Sequence, residues 1–235
     1  MCGDSRHWSF SVLFQPLELV VCLPMPTVEQ ARSWYSDADP VHDFNHVLRV
    51  YRLVEHLAEK EGADMEIVRA AALLHDARGS SPGENNQRDD HHEASARFAA
   101  EVLAEEEWPQ EEIDAVMHCI RTHRFRSPEI PETIEAQVLF DADKLDAIGA
   151  VGAMRAIAYA VLAGQPVYAE PSESFVNSFE KEAGEGHSSY HEFLFKLSRI
   201  KDHMYTQTGK AMAEQRHNYL SGFFEQLRAE ISGEK

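Results

Sequence analysis

Four side chains of this 235-residue sequence have the types and settings that gather a divalent cation: His46, the adjacent pair His75 and Asp76, and Asp143. Neutral imidazole nitrogen and carboxylate oxygen together suit Mn, Fe, Co, Zn or Mg, and the mixed donor set favours a transition metal over an ion that takes oxygen alone. His75 and Asp76 close the apolar run of AALLHDARGS, residues 71–80. Neighbouring residues of a helix point about 100° apart, so an adjacent His and Asp turn toward one ion only where the helix ends. With His46 and Asp143 supplied by two further helices, three converging elements leave coordination positions open for water and substrate, which catalysis at a metal requires.

The elements that must position these groups are helical throughout. Apolar residues recur at helical spacing, and no run of β-branched residues of strand length stands between turn signals, so the fold class is all-α. A helix over 43–60 carries Val47, Val50, Leu53, Val54 and Leu57 on one face, with His46 on the flank of that face and Gly62 just past its end. A second, over 64–75, is apolar nearly all round and therefore central. The polar stretch GSSPGENNQRDDH at 79–91 reads as a long loop after the His-Asp pair, and long loops in compact domains are often functional. Further helices are expected at 92–107, 110–123 and 132–163, the last containing the small-residue stretch AIGAVGAMRAIA. A loop at 164–174 and a helical region over 187–232 complete the chain.

Composition narrows the chemistry. The chain has 22 basic against 40 acidic residues, a formal charge of −18, and 43% of its residues are hydrophobic. A nucleic-acid footprint needs clustered positive charge, so no nucleic-acid polymer is expected as partner. A small phosphorylated ligand is compatible with this acidity when a bound cation supplies positive charge locally. Cys2, Cys22 and Cys119 form no CxxC pair, which points to a reducing cytoplasm and to no structural zinc. The apolar stretch at 8–25 is interrupted by Gln15, Pro16 and Glu18 and is too short to span a bilayer, so no membrane partner is expected. Thr27 and Gln30 have capping-box spacing. The folded part is accordingly expected from Met25 to residue 235 as one domain, and residues 1–24 read as a loose extension or an upstream misassigned start.

The order H…HD…D, with the last Asp in ADKLDAIG, resembles the HD superfamily of metal-dependent phosphohydrolases. HDFNHVLRVYRL is similar to the family's first ligand helix and AALLHDARG to its second, over about residues 40–150. EAQVLFDADKLDAIGAVGAMR and the segment from KLSRIKDHMYTQTGK onward resemble a bacterial subgroup of predicted HD hydrolases, which extends the likeness over most of the chain after Met25. The resemblance implies an HD helical bundle whose core, about 40–150, carries a C-terminal helical extension over 151–235. It implies one or two divalent ions held by His46, His75, Asp76 and Asp143, and Lys144 as a phosphate-contacting lysine. Asp141 is a rival ligand, with Asp143 preferred because the family aspartate belongs to an Ala-Asp-Lys-Leu phrase. His92, opening HEASA, and His123, closing AVMHCIRTH, are candidates for a second ion or for proton and phosphate contacts. Arg78 and Arg124 are further candidates to neutralise substrate charge.

Plainer readings exist for several of these residues. Arg78 at a helix end also opposes the dipole, and His118 reads as a packed core histidine. His187, His191, His203 and His217 read as solvated, and the aromatic positions 193–195 and 223–224 as core. The expected function is metal-dependent hydrolysis of a phosphoester or phosphoanhydride in a nucleotide or similar small metabolite. Two rivals remain at this point. One is a catalytically silent nucleotide-binding regulatory module; the other is a structural helical protein whose His and Asp form a satisfied network without metal.

Overall fold

The structure, a computed structural model, describes residues 26–35, 44–78, 91–125 and 129–235, and all regular structure among them is helical. The expectations for residues 1–24 and for 79–90 of the long loop lie outside the described residues. Helix α1 spans Val28–Arg32 and opens on the expected capping box: Thr27 and Gln30 each accept a backbone N–H from the other. Helix α2 (Phe44–Glu61) buries Val47, Val50, Leu53, Val54 and Leu57, the stripe that the sequence spacing defines.

Helix α3 (Met65–Leu74) starts at Asp64, whose carboxylate accepts the N–H groups of Glu66 and Ile67 at 2.9 and 3.2 Å. Its residues Val68 and Ala70 to Leu74 are buried, so the helix runs through the centre of the core, between α2, α4, α5 and α6. Helices α4 (His91–Glu105) and α5 (Gln110–Thr122) pack on one another and on α3.

The segment expected as one helix over 132–163 is two: α6 (Ile134–Asp146) and α7 (Gly149–Leu162), bent by 61°. Ile148 is extended, and Gly149 sits at φ +77°, a conformation that a side chain resists. A Cβ on Gly149 would lie 3.1 Å from the Arg216 side chain, so the bend is also where α7 meets the C-terminal helix. The apolar character of the stretch runs on unbroken, which is why it reads as one helix, but Gly149 is a poor interior helix residue and the packing on Arg216 fixes the break there.

The expected loop at 164–174 and C-terminal helical region resolve into α8 (Glu173–Ser178), α9 (Ser189–Phe195), a 3₁₀ stretch (Leu197–His203) and α10 (Gln207–Ile231). Phe193 of α9 and Phe224 of α10 stack with centroids 4.6 Å apart. Buried side chains from α2 to α7, α9, the 3₁₀ stretch and α10 form one continuous apolar cluster. No single helix among the described residues is long and apolar enough to cross a membrane.

Candidate metal centre

The sequence places His75 and Asp76 just past the last residue of α3, and the backbone there does what the adjacent pair needs. His75 caps the helix, and its Nδ1 lies 2.8 Å from the Ala72 carbonyl. That hydrogen bond fixes Nδ1 as the donor and aims Nε2 into the space beyond the helix end. His46, at the third position of α2, and Asp143, one turn before the end of α6, face the same space. His46 Nε2 is 3.4 Å from both His75 Nε2 and Asp143 Oδ1. Asp76 Oδ2 lies 3.6 Å from His75 Nε2 and 4.0 Å from His46 Nε2.

A second group adjoins the first through the other oxygen of the same aspartate. Asp76 Oδ1 is 3.6 Å from His123 Nε2 and 3.7 Å from His91 Nε2. His123 ends α5 as His75 ends α3: its Nδ1 is 2.6 Å from the Ile120 carbonyl, three residues back, which leaves Nε2 turned inward. Asp76 Oδ1 is buried and makes no hydrogen bond among the described residues, a costly state for an anionic oxygen unless a cation is its partner.

Helical rotation sorts the three aspartates of DADKLD. Asp143 and Asp146 are three residues apart and share a face, whereas Asp141 is two residues from Asp143 and points away. Asp141 is buried and accepts hydrogen bonds from Tyr205 N (2.9 Å), Thr206 N (2.8 Å) and Thr206 Oγ1 (2.7 Å), tying α6 to the start of α10. It is thereby used up in holding the fold. Asp146 is 1% exposed and holds His46 from behind, with Oδ2 2.7 Å from His46 Nδ1. Arg49 Nε and Arg155 Nη1 in turn hold Asp146, at 2.6 and 2.7 Å. A carboxylate behind a histidine fixes the tautomer that leaves Nε2 free to coordinate.

The charges respond to this crowding. Burial favours neutral forms, but hydrogen bonds with Asp143 and Asp146 outweigh it at His46 and raise its pKa to about 9. At His75 burial dominates, assisted by the positive charge of His123 and His46, and the pKa falls. Asp76 and Asp143 resist burial and lie well below the ordinary carboxylate range, the former because of His75 and His123, the latter because of Lys144 and His46.

The residues expected from sequence fare differently. His46, His75, Asp76 and Asp143 come together, and Lys144 Nζ lies 2.5 Å from Asp143 Oδ2 at the edge of the group. His123 converges with Asp76, but its companion on α4 is His91; His92 is buried on the same helix outside this group. Arg78 is not placed among the converging groups: its guanidinium carbon sits 3.5 Å from the Phe98 ring centroid. His191 is not solvated. It is 0% exposed between Ser188 Oγ (2.7 Å) and Glu185 Oε1 (3.0 Å), because Ser188 caps the start of α9 and the first turn carries the ring inward. Asp146 and His91 were missed, although Asp146 had a readable signal, a carboxylate one turn after Asp143.

The donor set fits a divalent ion. Two ligands each about 2.1 Å from one ion stand roughly 3 to 4 Å apart, and the ligand atoms of His46, His75 and Asp143 lie within 4.8 Å of one another, as do those of Asp76, His91 and His123.

Comparison with known proteins agrees with this geometry. Residues 43–148 match the HD domain. YpgQ of Bacillus subtilis is 35% identical over 213 residues, which cover 87% of this chain and 94% of that protein. The chain belongs to the HD-domain family. The crystal structure of YpgQ in complex with ADP superposes on this HD-domain protein with a TM-score of 0.67 at 33% identity, covering 88% of this chain and 99% of that one. An HD-superfamily hydrolase from Bacillus thuringiensis gives 0.62 at 28% identity, covering 87% and 96% of the two chains. HD domains bind divalent metals, and the converging His and Asp groups are consistent with that property.

Proposed function

We propose that this HD-domain protein is a divalent-metal-dependent phosphohydrolase that cleaves a phosphoester or phosphoanhydride bond of a nucleotide. The observation that carries the proposal is the meeting of His46, His75, Asp76 and Asp143, from three helices, on one side of a buried wall of hydrogen bonds. The hydrolase relatives and the ADP complex of YpgQ support the reaction and ligand class.

His46, His75 and Asp143, with Asp76 beside them, would hold one ion, and Asp76, His91 and His123 could hold a second. A divalent ion supplies, when bound, positive charge that brings the pKa of a water from about 15.7 toward 7 and polarises a phosphoryl oxygen. The chain's own contribution is preorganisation. Asp146 and the Ala72 and Ile120 carbonyls keep three imidazoles in the coordinating tautomer. Lys144, 12% exposed and paired with Asp143, is the cation that would meet the substrate phosphate at the edge of the centre, offsetting the repulsion of a chain of −18.

The test is release of phosphate or pyrophosphate from nucleoside di- and triphosphates with Mn²⁺, Co²⁺, Mg²⁺ or Zn²⁺, comparing the parent with Asp76→Ala. The parent is expected to turn over and the variant to lose both turnover and metal. Metal-loaded protein that binds ADP and leaves every nucleotide intact would instead establish the regulatory module. Metal far below one equivalent with no uptake would leave the structural network.

A further inference from the structure

Next to the metal centre lies a cavity of about 120 Å³ whose walls the hydrolytic chemistry does not use. Thr122 and Phe125 bound it from the end of α5, Phe140 from α6, and His203 and Tyr205 from the turn into α10, with Arg124 also in the lining. The four rings meet edge to face: Phe125 on His203 at 5.0 Å and 84°, Phe125 on Phe140 at 5.5 Å and 62°, and Phe140 on Tyr205 at 5.0 Å and 89°. Phe140 is buried, but Phe125 is 39% exposed and Tyr205 38%. Phe125 and Tyr205 thus present open ring surface beside a charged centre, and a flat group can pack on such surface.

Lys144 joins cavity and centre. Its ammonium lies 5.4 and 5.3 Å from the Phe125 and Phe140 centroids, and 2.5 Å from Asp143. On α5 the division falls between consecutive residues: Thr122 lines the cavity while His123 faces Asp76. One ligand touching both sides therefore carries a flat group at one end and negative charge at the other. Pockets that enclose a whole drug-sized ligand run to roughly 300–1,000 Å³. This cavity takes one ring system and leaves the remainder of the ligand outside.

We propose that this cavity is the base-binding subsite: a nucleobase stacks against Phe125 and Tyr205 while its phosphates pass Lys144 to the His/Asp centre. The proposal rests on the nucleotide phosphohydrolase reading above and assigns the residues that select the base end of the substrate. Stacking of a base on an aromatic side chain contributes about 1–3 kcal/mol, so loss of either ring weakens binding of the whole nucleotide by roughly 5- to 150-fold.

The experiment is calorimetric titration of full-length, Mn²⁺-loaded protein with ADP and, separately, with inorganic pyrophosphate, which carries the charge and has no base. Phe125→Leu keeps apolar bulk and removes the ring. Tyr205→Ala removes the ring and keeps the backbone N–H that Asp141 accepts. Both are expected to weaken ADP by the stated factor and to leave pyrophosphate as in the parent, while Phe125→Trp and Tyr205→Phe retain ADP. ADP binding unchanged in both ring-removing variants, or ADP and pyrophosphate weakened in parallel, would overturn the subsite. Failure of the hydrolase reading shows separately, as ADP that binds the parent with the expected ring dependence and is never cleaved; that result keeps the subsite and removes the reaction.

Discussion

Asp146→Asn isolates the role of the carboxylate behind His46. The substitution keeps shape and one acceptor oxygen but removes the charge that holds Arg49 at 2.6 and 3.1 Å, Arg155 at 2.7 Å and His46 Nδ1 at 2.7 Å. Breaking a buried ion pair by removing one partner costs about 3–5 kcal/mol. The two arginines retain 27% and 17% exposure, so the lower end applies. Linkage gives a similar figure. Burial opposes ionisation of Asp146, but hydrogen bonds from His46 and Arg49 outweigh it and lower its pKa from 3.8 to about 2, a shift worth about 2–3 kcal/mol.

Because the folded-state pKa is depressed, that stability is fully present above about pH 4 and drains away as pH falls through about 2. Urea unfolding of the two proteins at pH 7 is expected to differ by about 2–3 kcal/mol, with the gap closing below pH 4. Loss of an orienting partner also weakens metal binding by about 10- to 100-fold, read by titrating Mn²⁺ into metal-free protein. A variant with the parent's unfolding midpoint and the parent's Mn²⁺ affinity would refute the reasoning.

Three further outcomes follow from other contacts. Gly209→Ala puts a Cβ into the Asp141 carboxylate and the Thr206 hydroxyl, so thermal melting should show a loss of about 1–3 kcal/mol, typical of overpacking, with metal stoichiometry unchanged; an unaltered melting curve would contradict this. His91→Ala should remove one equivalent of bound metal while His92→Ala leaves stoichiometry intact, by elemental analysis, and the reverse pattern would reassign α4. Since the hydrogen bonds to Asp143 and Asp146 raise His46 against burial to about 9, metal uptake at pH 7.5 should expel a proton from its Nε2. Calorimetry in two buffers of different ionisation enthalpy measures this release, which should fade as pH rises through about 9; no release at pH 7.5 would contradict the assignment.

The parts of the site that sequence revealed are those set by local periodicity. The stripe of α2 and the wholly apolar α3 require buried helices; an imidazole and carboxylate can simply end a helix in water, and it is their position after so apolar a run, with His46 and Asp143 elsewhere, that marks them. What the sequence hid depends on partners distant in the chain. The bend at Ile148–Gly149 uses a left-handed glycine beside Arg216, and its signal is diluted by a second glycine, Gly152, inside the helix that follows. In sequence only the Ala-Asp-Lys-Leu phrase favours Asp143 over Asp141, and what occupies Asp141 is the start of α10, over sixty residues later. His91 and His92 differ by one step of helical rotation, and the register of α4 decides which of them faces Asp76. His191 looked like a surface residue because its partners, Ser188 and Glu185, identify themselves only once α9 is in place.

The proposed chemistry needs one cation among His46, His75, Asp76 and Asp143. Crystals grown with Mn²⁺ and measured at the manganese absorption edge test it directly. An anomalous peak is expected within about 2.0–2.3 Å of the Nε2 atoms of His46 and His75 and of a carboxylate oxygen of Asp143. Ordered Mn²⁺ only elsewhere on the molecule, or none with these four side chains clearly placed, would contradict it.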